Sequence, residues 1–138
     1  VDGEGMVRAL RRALTDGGLT PRDVVHVNAH ATSTPQGDLA ESTALRTVLG
    51  CDGYCVSATK SMTGHLMGAA GAVEAVITAL TVRDRVAPPT IGVTQLDPRI
   101  GLDIVLDACR PLAADPVVAL SNSCGFGGHN VVLAFRSS

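Results

Sequence analysis

The sequence predicts an α/β unit in which a mixed sheet is layered with helices. Short, almost wholly apolar runs at Val24–Ala29 and Tyr54–Ser57 have the length and composition of strands covered on both faces. Longer segments with helical spacing follow each run, giving the strand–helix–strand–helix order of layered α/β folds. A closing strand pair, Val117–Leu120 and Asn130–Phe135, flanks Gly125, Gly127 and Gly128 and makes the sheet mixed. At 138 residues the chain suits one compact unit.

The elements follow in order. Met6, Val7, Leu10, Ala13 and Leu14 recur at helical spacing, and Gly17-Gly18 supplies the stop. Thr20-Pro21 can cap a brief helical turn before the first strand. A polar loop, His30 to Gly37, leads to a second helix over about Asp38–Leu49, with Asp38 and Glu41 near its positive end and Gly50 after it. After the second strand, the loop Ala58–Gly64 opens a third helix, roughly His65–Arg83. Its apolar or small residues on every side predict a central helix buried all round. Pro88-Pro89 forces an extended connection, and Asp103–Leu106 is a candidate strand.

Composition narrows the function classes. Apolar residues make up 46% of the chain but include only two Phe, one Tyr and no Trp, so the core is built from closely packed small aliphatics. A net charge of −2 without a basic patch argues against nucleic acid as a partner. The apolar stretch Leu66–Val82 is interrupted by Glu74 and several glycines, so no membrane span is expected. Cys51, Cys55, Cys109 and Cys124 contain no CxxC pair, and they read as buried or incidental thiols, not as a metal site or disulfide scaffold. The first residues, Val1-Asp2-Gly3, carry no initiator Met and no signal-peptide pattern, which suggests a piece of a cytoplasmic protein.

Three polar stretches, His30–Gly37, Ala58–Gly64 and Ser121–His129, follow strands at comparable places. In open α/β sheets the site lies beyond the carboxyl ends of the strands, so the three can converge on one pocket. Glu74 sits mid-helix without a polar face, and a buried carboxylate needs a partner; Lys60 in the preceding loop is the natural candidate, for a structural or a functional pair. His65 at a helix start would be favoured as a neutral ring, able to donate a hydrogen bond without ionising, or would only cap the helix. His30 ends a buried strand and opens a loop whose Thr32, Ser33 and Thr34 hydroxyls suit a polar ligand arm or a plain turn. Gly125-Phe126-Gly127-Gly128 permits close backbone approach, and its N–H groups could form an oxyanion hole or a tight hairpin. Together these residues point to carbonyl chemistry.

The segment Val27-Asn28-Ala29-His30-Ala31-Thr32-Ser33-Thr34-Pro35-Gln36-Gly37-Asp38 resembles the histidine motif of β-ketoacyl-carrier-protein synthases. Ser57-Ala58-Thr59-Lys60-Ser61-Met62-Thr63-Gly64-His65 resembles their lysine–histidine motif, and Leu120 to Asn130 resembles their closing glycine-rich loop. The motifs occur in the family's order across essentially the whole chain. The resemblance implies a thiolase-like fold, of which this chain is the second, carboxy-terminal half, in a homodimer. It implies decarboxylative condensation of malonyl-carrier protein with an acyl thioester held on a cysteine of the amino-terminal half. His30, His65 and Lys60 then match catalytic positions. Glu74 matches the partner of the lysine, Asp38 a supporting position, and Phe126 the gating aromatic beside Gly125 and Gly127. Thr32 and Thr34 match contacts to the phosphopantetheine arm, which the acyl carrier protein delivers, so no cofactor of the chain's own is expected. Asn28, Glu74, Ser121 and Asn122 resemble a small structural cation site of some members.

Two departures stand out: Ala31 replaces a usual glycine, and Cys124 a usual phenylalanine. Cys124 is not read as the nucleophile, because the family's cysteine sits at a helix N-terminus in the other half, where the dipole lowers its pKa. The alternatives are a polyketide ketosynthase, a thiolase and a chain-length subunit without activity. A thiolase carries His-Pro in its glycine-rich stretch, whereas Leu66 follows His65 here. Retention of His30, Lys60 and His65 argues against the inactive subunit. The isolated chain is expected to expose an apolar face and to lack condensing activity.

Overall fold

The computed structural model describes residues 3–138, apart from the side chain of Phe126. Helix α1, Glu4–Asp16, buries Met6, Leu10 and Leu14, which the four-residue spacing puts on one stripe. The stripe ends at Gly17, and Gly18 turns back with φ 60° so that the Leu19 N–H reaches the Leu14 carbonyl at 2.8 Å. Thr20 and Asp23 form a reciprocal cap on the short turn that follows. Strand β1, Val24–Asn28, comes next, then α2, Pro35–Leu49, and β2, Cys55–Ser57. Helix α2 begins earlier than the sequence predicts, because Pro35 has no N–H to lose at a first helical position.

The predicted helix over His65–Arg83 is two elements with a break between them. A single turn, α3, spans Lys60–Thr63, Gly64 reverses the chain at φ 71°, and α4 runs only from Ala70 to Asp84. His65 therefore lies in the connection between helices and does not start one. After α4 come the short antiparallel pair β3, Val86–Ala87, and β4, Arg110–Pro111. Asp103–Leu106 is not a strand; it makes isolated bridges, Val56 with Ile104 and Thr90 with Leu106. Strands β5, Val118–Gly125, and β6, His129–Arg136, are both longer than predicted, because the hairpin continues into the glycine-rich stretch.

The main sheet has the order β2-β1-β5-β6, with β1 parallel to both neighbours and β6 antiparallel to β5. Register puts Asn28 between Ser57 on one side and Ser121 on the other. Strands β1 and β2 thus end level with one another, whereas β5 runs on past Ser121 to Gly125 in its hairpin with β6, and the chain leaves all three at the same end of the sheet. One face of the sheet, with Val27, Val56 and Leu120, packs under α1 and α2 against Leu10, Leu14 and Leu45. The other face carries His26, Asn28, Ser57 and Ser121, all buried, toward α4.

Helix α4 departs from the all-round burial expected of it. The middle of its covered stripe is polar, with Glu74, Thr78 and Thr81 buried between Ala70 and Val82, whereas Val76 is 60% and Leu80 41% exposed. The neighbouring face of β6 shows Val131 and Leu133, and the connection before α4 shows Leu66 and Met67. This is the reverse of a surface helix, which turns polar residues outward. The apolar side was designed by the sequence for a cover that these residues do not themselves provide.

Two outcomes follow from this packing. The isolated chain should self-associate with concentration in sedimentation analysis, and Val76→Glu with Leu80→Glu should shift it toward monomer; a monomer at all concentrations would contradict the exposed face. His26 is fully buried, and burial lowers its ring from 6.5 to about 4. The folded state then binds fewer protons than the unfolded one between these values. Stability should be full above about pH 6.5 and fall on acidification toward pH 4, by on the order of 3 kcal/mol, as measured by urea unfolding across that range.

Candidate active site

His30 follows the end of β1 directly. Its backbone N–H donates to Glu41 Oε1 at 2.8 Å, and the Ala31 N–H donates to Oε2 at 2.9 Å. Asn122 of β5 donates its amide to the same carboxylate at 3.0 Å. Ala31 has φ 24° and Ser33 φ 64°, a region that a side chain disfavours, so the two bonds to Glu41 hold strained backbone. Burial pushes the Glu41 carboxyl up, and the N–H groups of Ala31, Asn122 and His30 pull it back, followed by the charge of Lys60. Glu41 is the functional residue that sequence reasoning passed over. It reads as a dipole partner at a helix start, and nothing in the sequence says that its carboxylate meets two elements at once.

Lys60 opens α3 and its side chain is 5% exposed; it forms an ion pair with Glu74 Oε1, whose side chain is 2% exposed. Burial drives the Glu74 carboxyl up, and its bond to Lys60 opposes that shift. Asn28 ties the pair to the sheet edge. Its amide reaches the Glu74 carbonyl at 3.4 Å and the Thr78 hydroxyl at 3.3 Å, and its oxygen accepts from Thr59 at 2.9 Å. The pairing predicted from burial is present. Glu74 Oε2 and Asn122 Oδ1 are both buried without a hydrogen-bond partner among the described residues. Both belong to the four residues that resemble a small cation site, but the Asn122 side chain meets Glu41 on the α2 side of the sheet, whereas Glu74 lies on the α4 side.

His65 reaches the same place from the turn after α3. Its ring lies edge-on to that of His30, with centroids 5.5 Å apart at 89°. The Met67 N–H donates to His65 Nδ1 at 3.3 Å, so the ring proton sits on Nε2. Burial first, then the charges of Lys60 and His65, lower the His30 ring to about 4, and it is neutral at neutral pH. Two imidazoles placed edge to face, one of them held neutral beside a lysine, have the chemistry to donate hydrogen bonds to a developing negative charge.

The hydroxyl loop stands next to them, with Thr32 and Thr34 hydroxyls 3.3 Å apart. Gly37 leaves room for this arrangement, since a Cβ there would lie 2.5 Å from Thr34 Oγ1 and the threonine would have to shift. Asp38 is half-buried; burial raises its carboxyl while the Ser33 and Thr34 N–H groups lower it. A cavity of about 750 Å³ opens beside this loop, bounded by Thr32, Asp38, Lys60, His65, Ile91 and Leu102. Gly125 ends β5 in extended form, and Gly127 and Gly128, at φ 78° and 83°, turn the chain into β6. The gating role expected of the Phe126 ring lies outside the described residues. Cys124 is half-buried, and burial followed by the Glu41 charge pushes its thiol up to about 12, the opposite of an activated nucleophile.

The architecture defines a thiolase-like α/β class of ketosynthases. A family model described as the β-ketoacyl synthase, C-terminal domain, matches residues 1–94. The chain belongs to the β-ketoacyl synthase family. It is 50% identical over 137 residues to 3-oxoacyl-[acyl-carrier-protein] synthase 2 of Synechocystis, covering 98% of this chain and 32% of the relative. The protein of the same name from Staphylococcus aureus is 48% identical over 98% of this chain and 33% of its own length. The chain thus spans about a third of the curated relatives it matches. Among solved structures, a β-ketoacyl synthase from Burkholderia phymatum superposes with a TM-score of 0.92 at 37% identity, over 99% of this chain and 33% of that one. A type II polyketide ketosynthase, solved with its acyl-carrier protein and bound to a hexaketide, superposes at 0.93 with 35% identity, over 99% and 34%. No helix among the described residues is long and apolar enough to cross a membrane.

Glu41→Ala would strand three donors, His30 N–H, Ala31 N–H and the Asn122 amide, and should lower unfolding free energy by about 3 kcal/mol in urea titration. Alkylation with iodoacetamide at pH 8, mapped by mass spectrometry, should label the exposed Cys51 and Cys109 and spare Cys55 and Cys124 until the protein is denatured.

Proposed function

We propose that this chain supplies the donor side of a decarboxylative Claisen condensation that extends an acyl chain by two carbons. The observation that carries the reading is the edge-on pair His30–His65, 5.5 Å between centroids, set over the buried Lys60–Glu74 pair. A malonyl group arrives as a thioester on the phosphopantetheine arm of an acyl carrier protein, and the Thr32 and Thr34 hydroxyls bind that arm. The bond between the malonyl carboxylate and its α-carbon breaks. Carbon dioxide leaves, and the electron pair forms an enolate whose oxygen takes hydrogen bonds from the imidazole N–H groups of His30 and His65. The enolate carbon then attacks an acyl thioester on a cysteine elsewhere in the synthase. A carbon–carbon bond forms, and the cysteine leaves as thiolate. The backbone around Gly125, Phe126 and Gly127 serves as the oxyanion hole of that second step.

Lys60 holds positive charge near both rings, and Glu74 keeps it in place. Asp38 supports the hydroxyl loop from beneath. The apolar face of Val76, Leu80, Val131 and Leu133 is the seat of the amino-terminal part of the same synthase. The complete protein is a cytoplasmic homodimer in this reading, and its pathway is fatty-acid elongation, supported by the 50% identity to 3-oxoacyl-[acyl-carrier-protein] synthase 2. A polyketide ketosynthase is the second reading, supported by the superposition with the hexaketide-bound enzyme.

The test uses the complete synthase with malonyl-carrier protein. His30→Ala and His65→Ala should each lower carbon dioxide release about a hundredfold or more, with acyl loading of the cysteine retained. Full decarboxylation by both variants would overturn the donor roles. Product analysis separates the pathways: a single two-carbon extension of saturated acyl groups supports elongation, and repeated unreduced extension supports the polyketide reading.

A further inference from the structure

His26 lies in the middle of β1, fully buried, on the sheet face that meets α4. The condensation described above makes no use of it. Its Nε2 is 2.9 Å from Ser57 Oγ, and Ser57 Oγ is 2.6 Å from the Pro88 carbonyl oxygen. A carbonyl only accepts, so the one hydroxyl proton of Ser57 goes to Pro88. Ser57 must then accept from His26, which places the imidazole proton on Nε2. Nδ1 is left as a bare buried acceptor without a hydrogen-bond partner among the described residues. The ring, lowered by burial to about 4, is neutral at neutral pH.

The far end of this relay reaches the lysine loop. Two residues beyond Pro88, the Thr90 hydroxyl accepts the Ala58 N–H at 2.9 Å. The next residue, Ile91, donates its N–H to Ser61 Oγ at 3.0 Å. Ala58 and Ser61 bracket Lys60. The Thr90 N–H is itself held by the Val105 carbonyl at 2.7 Å, which leaves the segment little freedom to follow the loop. The position of Pro88 therefore sets the position of the backbone on both sides of Lys60, and through the same turn that of His65.

We propose that His26 is a positioning residue for Lys60 and His65, acting by its Nε2 proton through Ser57, Pro88 and Thr90. The proposal rests on the decarboxylation reading given above. Without the imidazole donor, the Ser57 hydroxyl is no longer held toward Pro88 from behind, and the connection loses its fixed distance from the sheet edge. Misplacement of a catalytic group by a fraction of an ångström is felt in turnover more than in binding.

The test compares complete synthase carrying His26→Leu, His26→Gln or Ser57→Ala with the wild type, reading thermal melts and the kcat and KM of malonyl decarboxylation. Glutamine can present an N–H near the position of Nε2, and leucine cannot. His26→Leu and Ser57→Ala are expected to lower kcat about tenfold with KM within about twofold. His26→Gln should recover most of kcat while melting no higher than His26→Leu, a split that a purely structural role would not produce. Wild-type kcat in His26→Leu, or a glutamine variant no faster than the leucine one, overturns the proposal. Should His26→Leu fail to melt cooperatively, Ser57→Ala decides, and an unchanged kcat in that variant overturns it. A wild-type synthase that releases no carbon dioxide from malonyl thioesters would instead overturn the underlying reaction.

Discussion

The buried ion pair between Lys60 and Glu74 is the constraint on which the arrangement of the site depends. Both side chains are almost without solvent contact, and removing either partner would leave a bare charge between sheet and helix, at a cost of roughly 3–5 kcal/mol. The pair therefore fixes where α3 can sit relative to α4, and the turn carrying His65 lies between those two helices. The polar stripe of α4 follows from the same requirement. A helix that must deliver Glu74 inward turns Thr78 and Thr81 inward with it, and its apolar residues then face the other way.

His30 is held by a separate but parallel device. Glu41 anchors the backbone on which His30 rides, and Asn122 links that carboxylate to β5. The two anchors lie on opposite faces of the sheet, Glu41 with α2 and Glu74 with α4. Asn28, level with Ser57 and Ser121, ends the strand between them. Each histidine is thus placed by a buried carboxylate on a different layer, and the rings meet at the sheet edge. This explains why a strained backbone at Ala31 is tolerated: two charge-assisted hydrogen bonds offset a conformational cost of about 1–2 kcal/mol.

The sequence shows the positions of β1, β2, α1 and the closing strand pair, and the Lys60–Glu74 pair, but not the length of the hairpin, and the remaining differences share a cause. One helix is expected from His65 because residues from Leu66 to Val82 are mostly apolar or small, while the break depends on Gly64 adopting a positive φ and on Lys60 being drawn inward. Helix α4 is expected to be buried all round because a helical wheel does not reveal which side its own domain covers. Asp103–Leu106 has the composition of a strand but forms only isolated bridges beside β2 and Thr90.

By itself the sequence determined the alternation of strands and helices, the polar stretches after the strands and the need of Glu74 for a cation. These are consequences of local periodicity and of the cost of burying charge, and both act wherever the chain folds. Only the tertiary structure decided that Asn28, Ser57 and Ser121 stand level, that His30 and His65 stand edge to face, and that Glu41 and His26 reach backbone and hydroxyl partners in other elements. Those facts depend on register between strands and on hydrogen bonds between residues distant in sequence. No spacing along the chain encodes either one, because a partner's direction exists only once the layers have packed.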